Sequence, residues 1–375
     1  MNKEEKSKYL RFYQEQNIIP TTQNTSDWSA HVRTRLMLYS QLGLPPSAFT
    51  GSDILEIGPG TGQNARVIHE WKPKSLTLVD ANPLSIKESK RQFQKTETRP
   101  KFILSKIEEA KFKQKFDVVL CEGMLSIFPE NPAGLFAFIL SQAKTGGVVV
   151  VTCMDPVSML PEMLRRWVGR KSLTGSPSAS LEARATEIVK TFKRDLDNLK
   201  GMTRRREDWA IDNILSPWEP RFFSIPCALD EISKNGDWII QGSSPRFLQD
   251  WRWHKALALE KPPSFSKIKD SYMRFLPNLL DYRSAGSEFE EAKSKKIGLL
   301  CEKICYDILG ENVSEASLAS KTLQLARLFD GSPITGEALN EFLDFLKGVK
   351  PYSQLKRFPK LWGRGQQYLS FQRLS

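Results

Sequence analysis

The residues best suited to specific chemistry stand close together: Glu56-Ile57-Gly58-Pro59-Gly60-Thr61-Gly62, then Asp80 eighteen residues after the last glycine. Closely spaced glycines let a backbone turn tightly and approach a ligand that a Cβ would hold off. A helix starting near Gly62 turns its free N–H groups toward the same loop. A carboxylate at Asp80 accepts hydrogen bonds from both hydroxyls of a ribose. The pattern calls for a nucleoside-bearing ligand.

A dinucleotide site uses similar parts, and two residues argue against one. Gly-x-Gly-x-x-Gly spacing requires a glycine at position 63, where Gln63 stands. Glu56, directly before the loop, opposes an anionic pyrophosphate and favours a ligand with a cationic end. S-adenosylmethionine, with its ammonium and sulfonium groups, carries the matching sign. A purely structural turn, or another use of the same site such as aminopropyl transfer, remains an alternative reading.

Two further carboxylates, Glu122 and Asp155, fall at the expected carboxyl ends of strands, where ligands bind in open α/β sheets, and are the candidate general bases. Asp155 is equally placed to cap a helix beginning near Val157. Behind the fourth strand stands Cys121-Glu122-Gly123-Met124, with none of the Asn/Asp-Pro-Pro-Tyr/Phe pattern of nucleobase and glutamine amino-methylation. Cys121 and Cys153 read as small apolar residues at buried strand ends. His31 lies on an expected amino-terminal helix and reads as a surface histidine more readily than as a site residue. Arg246, Asp250, Trp251 and Arg252 are acceptor-site candidates if 237–241 and 251–256 form a closing hairpin; a structural hairpin fits equally well.

The elements that must position these groups follow from periodicity. Residues 3–16 and 27–42 read as helices, the second with a stripe of Leu36, Leu38, Tyr39 and Leu42. Strands are expected at 53–57, 75–79, 101–104, 116–120 and 147–153, alternating with helices near 62–71, 83–94 and 132–143. Leu76-Thr77-Leu78-Val79 and Asp117-Val118-Val119-Leu120 are almost continuously apolar, as in a parallel sheet covered on both faces. Helical periodicity dominates 158–170, 180–199 and 206–215, and again from 264 to 348.

Residues 53–155 resemble a class I S-adenosylmethionine-dependent methyltransferase. Glu56 to Gly62 is similar to the family's first motif position for position, and Val79-Asp80-Ala81-Asn82 to its second. Phe116 to Glu122 resembles the fourth-strand motif, and Thr145-Gly146-Gly147-Val148-Val149-Val150-Val151 the turn into the fifth strand. The resemblance implies an α/β, doubly wound Rossmann-like sheet. Periodicity and composition add amino-terminal helices (1–50), a core (51–156 and 225–258), a helical insertion (157–224), a helical carboxyl-terminal region (259–346) and a basic–aromatic tail (347–375). The resemblance implies that Glu56, Gly58, Pro59, Gly60 and Gly62 hold the methionine part of S-adenosyl-L-methionine, Asp80 the ribose, and Ala81 and Asn82 the adenine. Glu122 would face the sulfonium or the acceptor. The acid that the family often carries after the third strand is missing, leaving Ser105 or the backbone at Ile107 as substitutes.

Composition sets outer bounds. Of the net charge of +12, residues 347–375 supply seven Lys or Arg and no acid, so the body is close to neutral and does not read as a nucleic-acid-binding domain. The tail's cations, interleaved with Tyr352, Phe358, Trp362, Tyr368 and Phe371, suit nucleic acid, an anionic surface or a packed helix with solvated charges. Five scattered cysteines form no disulfide framework, and no metal site is expected; Cys301 and Cys305, four apart, lack nearby histidines. No apolar run approaches bilayer length and the start lacks a secretory segment, so a cytoplasmic location is expected. The expected activity is methylation of a small molecule or glycan-like metabolite, aligned in the site and aided by a carboxylate base. The alternatives are an RNA or protein methyltransferase docking through the tail, and a non-catalytic scaffold retaining the cofactor fold.

Overall fold

The computed structural model describes residues 8–19, 22–126, 131–173, 179–217, 221–234, 237–248, 253–257, 263–310 and 313–375. These form two compact units: 1–154 with 217–269 and 366–375, and 155–216 with 270–365.

The first unit is built on seven strands, β1 (Asp53–Ile57), β2 (Ser75–Asp80), β3 (Lys101–Leu104), β4 (Phe116–Cys121), β5 (Ala143–Met154), β6 (Trp238–Ser244) and β7 (Gln366–Arg373). Their order across the sheet is β3-β2-β1-β4-β5-β7-β6. The first five are parallel, and β7 runs antiparallel between β5 and β6. This is the doubly wound α/β sheet expected from the alternation. Every residue of β1 is buried, which explains its unbroken Ile54-Leu55 and Ile57 apolarity: helices cover both faces. Pairing Ile57 with Val79 on one side and with Cys121 on the other aligns the carboxyl ends of β1, β2 and β4. Strand order reverses between β1 and β4, where such sheets open a crevice.

Six helices need names: α1 (Lys8–Glu15), α2 (Trp28–Gln41), α3 (Gln63–Glu70), α4 (Pro83–Gln92), α5 (Pro132–Ser141) and α6 (Pro156–Ser172). Asp27 caps α2 by accepting the Ala30 N–H at 2.8 Å, and Asn82 caps α4 by accepting that of Leu84 at 3.0 Å. The buried face of α2 keeps Tyr39, with buried Leu42 just past the helix, from the stripe read from the sequence, but not Leu36 or Leu38. It consists of His31, Arg35 and Tyr39, at i, i+4 and i+8, while both leucines are only half-buried.

The seventh strand is another correction. Residues 253–257 of the expected second hairpin strand include a short helix, His254–Leu257, while Asp250, Trp251 and Arg252 lie outside the described residues. Position seven is taken by Gln366–Arg373, from the segment read as a basic–aromatic tail. Its Leu369 and Phe371 are fully buried, and Ser370 Oγ donates to Leu42 O at 2.7 Å. A strand that pairs across more than 100 residues of intervening chain leaves only a short alternating pattern, easily hidden by neighbouring cations.

In the second unit, α6 carries Arg165, fully buried, with Nε donating to Asp195 Oδ1 at 2.8 Å and Nη1 donating to Leu361 O at 2.8 Å. Its guanidinium lies 3.8 Å from the Trp362 ring centroid. Phe358 and Trp362, also read as tail aromatics, are thus core residues here. Among the described residues no helix is long and apolar enough to cross a membrane.

Candidate active site

The site lies at the carboxyl ends of β1, β2 and β4. Gly58 N donates to Val79 O at 2.8 Å, which ties the start of the glycine loop to β2. Gly58 has φ +70°, and a Cβ there would come within 2.6 Å of Met124 Sδ, so the loop runs beneath the segment that follows β4. Gly60, at φ +55°, has nothing within 4 Å of where its Cβ would be, leaving open space at the loop's apex. Pro59 is buried, and Gly62, at φ +78°, is the residue before α3.

Glu56 is 5% exposed, and its Oε2 has no hydrogen-bond partner among the described residues. Burial, reinforced by the Glu122 carboxylate and opposed by Arg35, pushes its pKa from 4.5 to about 8. Asp80, at the end of β2, accepts backbone N–H groups from Asn82, Gly60 and Ala81. Burial nevertheless raises it to about 6. It therefore holds the loop's apex against β2. Asn82 is consumed at Oδ1 by its cap, while its buried Nδ2 has no partner among the described residues; Ala81 beside it is half-buried.

Ser105 donates its hydroxyl to Lys106 O at 2.8 Å and its N–H to Asp80 O at 3.1 Å, so both of its donors are used locally. Ile107, buried, begins a short 3-10 turn.

Glu122 does reach the site, with partners the sequence reading missed. Its Oε1 accepts Arg35 Nη2 at 2.5 Å and Tyr39 Oη at 2.8 Å. Arg35 also hydrogen-bonds Tyr368 of β7, whose phenol is pushed up to about 12 by burial and by Glu122. His31, read as a surface histidine, is buried; desolvation and nearby Arg35 lower its pKa, and Asn64 of α3 hydrogen-bonds it. The i, i+4, i+8 row of polar residues on α2 was a legible signal. Tyr368 had none, because its strand was not recognised.

Asp155 behaves as a cap. Its Oδ1 accepts the Val157 N–H at 2.9 Å, and Tyr272 Oη donates to Oδ2 at 3.3 Å. Each oxygen thus accepts one hydrogen bond within the second unit, so the cap expected as one of its two roles is observed. Cys121 is fully buried and its thiol is pushed far up by burial, the opposite of an activated nucleophile. Arg246 is exposed. No cluster of metal-ligating residues occurs among the described residues.

Residues 30–182 match the methyltransferase domain family. Among solved structures, the chain is similar to magnesium protoporphyrin IX methyltransferase from Synechocystis PCC 6803 with bound SAM, at 15% identity and TM-score 0.29 over 33% of this chain and 59% of that one. It is similar to PKMT2 from Rickettsia typhi in complex with AdoHcy, at 18% identity and TM-score 0.44 over 66% of this chain and 50% of that one. The N-methyltransferase NodS from Bradyrhizobium japonicum WM9 gives 17% identity and TM-score 0.32 over 40% and 74%. The chain thus spans less than two thirds of the first of these, and no curated protein sequence matches it.

Proposed function

We propose that this chain, whose residues 30–182 match the methyltransferase domain family, is a class I enzyme that transfers a methyl group from S-adenosyl-L-methionine to a small molecule or glycan-like acceptor. One observation carries the donor assignment: a buried carboxylate oxygen of Glu56 without a partner among the described residues, directly before a glycine loop with open space at Gly60. An unpaired buried carboxylate is expensive, and a cationic ligand group removes that cost.

The residues present fit the cofactor. Glu56 would take the ammonium group and the loop Gly58–Gly62 the methionine backbone. Asp80 would take the ribose hydroxyls, and Ala81, Asn82 and the Ile107 turn would border the adenine. When bound, the cofactor supplies a methyl carbon already activated by cationic sulfur, so the protein's task is chiefly alignment and exclusion of water. Glu122 contributes through position. With Oε1 held by Arg35 and Tyr39 its carboxylate is oriented. Alignment, with Glu122 as a polar wall, is accordingly the mechanism supported best.

Enclosure supports a small acceptor. Arg35 and Tyr39 of α2 and Glu56 of β1 are all buried, a setting suited to a ligand that can be engulfed. Docking of RNA through the tail lacks support, since Phe358, Trp362 and Phe371 are buried. The test is calorimetric titration with S-adenosylmethionine, then incubation of a metabolite extract with labelled cofactor, with Glu56→Ala as control. Cofactor binding by the wild type and a labelled small product are expected. Failure of the wild type to bind overturns the assignment.

A further inference from the structure

Gln63, which stands where a dinucleotide loop would carry its third glycine, has a structural use of its own. It is 7% exposed, at the first position of α3, immediately after the loop. Its side-chain amide pairs with the backbone of Gln23 in both directions: Gln23 N donates to Oε1 at 2.9 Å, and Nε2 donates to Gln23 O at 2.9 Å. Thr61 Oγ1, from within the glycine loop, donates to the same Oε1 at 2.7 Å. The side chain therefore pairs with both backbone polar groups of Gln23, which also stands in an isolated β-bridge.

That segment leads directly into α2. Four residues after Gln23, Asp27 caps the helix, and the helix presents His31, Arg35 and Tyr39 in turn. Further contacts with α3 run the same way. Asn64 bonds His31, Trp28 Nε1 donates to Glu70 Oε1 at 2.8 Å, and the Arg66 guanidinium lies 4.4 Å from the Trp28 ring centroid. At the other end of α2, Leu42 O is held by Ser370 Oγ. The helix is thus fixed to the sheet at its carboxyl end and fastened to α3 at its amino end. The buried Gln63 pairing is the contact nearest the loop.

Glu56 Oε2, Arg35 Nε and His31 Nε2 are all buried without hydrogen-bond partners among the described residues. Atoms sealed in this way are reached by a ligand only if the covering element moves. Given the S-adenosylmethionine site proposed above, on which this rests, we infer that Gln63 is a positioning residue: it fastens residues 22–27 as a strap across the cofactor loop, so that α2 closes on bound ligand and must be released to admit it.

The experiment has two arms on the full chain. The first, without ligand, compares amide hydrogen exchange at Gln23 in wild type, Gln63→Glu and Gln63→Met. Gln63→Glu keeps the shape but sets a carboxylate against Gln23 O, and Gln63→Met removes both hydrogen bonds. A roughly 30-fold loss of protection confined to residues 22–31 is expected, the amount two hydrogen bonds of ordinary net strength supply. The second arm measures association and dissociation rates of S-adenosylmethionine by stopped flow. Both rates should rise in both variants, dissociation more than association. The circular dichroism spectrum and exchange at β1 serve as folding controls, and Gln63→Met replaces Gln63→Glu if the latter does not fold. Unchanged exchange at Gln23 in a folded variant overturns the fastening. Faster exchange with both ligand rates unchanged overturns the gating. Absence of binding to wild type overturns the site assignment itself, and is distinguishable because the exchange arm needs no ligand.

Discussion

Replacing Glu56 with glutamine should make the protein more stable and less able to bind its cofactor, and the balance should depend on pH. Burial first, and Glu122 second, raise the folded-state pKa of Glu56 from 4.5 to about 8. Between these values the folded protein holds a proton that the unfolded chain has released. The folded state therefore binds more protons, and the contribution of Glu56 to stability falls as pH rises from about 4.5 to about 8. At 1.36 kcal/mol per pH step, the ceiling on that loss is on the order of 5 kcal/mol. Relaxation around a newly charged group lowers it, and about 2–3 kcal/mol is a working value. Glu56→Gln keeps the shape and never ionises. Its stability advantage over wild type should be near zero at pH 5 and should grow steadily to pH 8.5. Urea unfolding at a series of pH values gives the difference directly, and amide exchange in β1 assigns it to the first unit, since the two units need not unfold together. In the same variant S-adenosylmethionine affinity should fall by roughly 30-fold or more, the worth of a charge-assisted hydrogen bond. A stability difference that stays flat from pH 5 to pH 8.5 would refute the view of Glu56 as a carboxylate held at a cost for a cation.

Other expectations follow from the same geometry. Asp80, raised to about 6 by burial, should lose its acceptor role on protonation, so S-adenosylmethionine should bind more weakly below pH 6; Asp80→Ala should cost about 100-fold in affinity, read by calorimetry. Arg35→Met leaves the Glu122 carboxylate, 13% exposed, without its counter-ion and should destabilise by about 3 kcal/mol, while adding Glu122→Gln should recover most of that in a double-mutant cycle. Asp155→Ala removes a helix cap, so the melting temperature should fall by an amount matching about 1 kcal/mol while S-adenosylmethionine affinity is retained. Ending the chain after Gly365 removes the strand between β5 and β6, and circular dichroism should show a chain that no longer folds to the native sheet; a well-folded truncate would contradict the assigned topology.

The donor end of the site was readable in the sequence because it is local. Glu56, the glycine loop and Asp80 occupy one strand–loop–helix–strand stretch, where spacing along the chain nearly fixes spacing in space. Strands β1 to β5 were readable for a related reason: burial on both faces writes itself as continuous apolarity in short runs such as Leu76-Thr77-Leu78-Val79. What could not be read depends on contacts between distant segments. Gln366–Arg373 looked like a charged tail because nothing nearby shows that β5 and β6 need a strand between them. Arg35 drew no reading from the sequence because its partner, Glu122, is 87 residues away. Asp155 offered the same carboxylate to two roles, and only the tertiary positions of Val157 and Tyr272 show that it serves as the cap. The chain by itself determined which ligand chemistry the loop invites, since that rests on residue type and short-range geometry. Tertiary structure alone decided which polar side chains are sealed beside the loop, because burial and pairing depend on what folds over them.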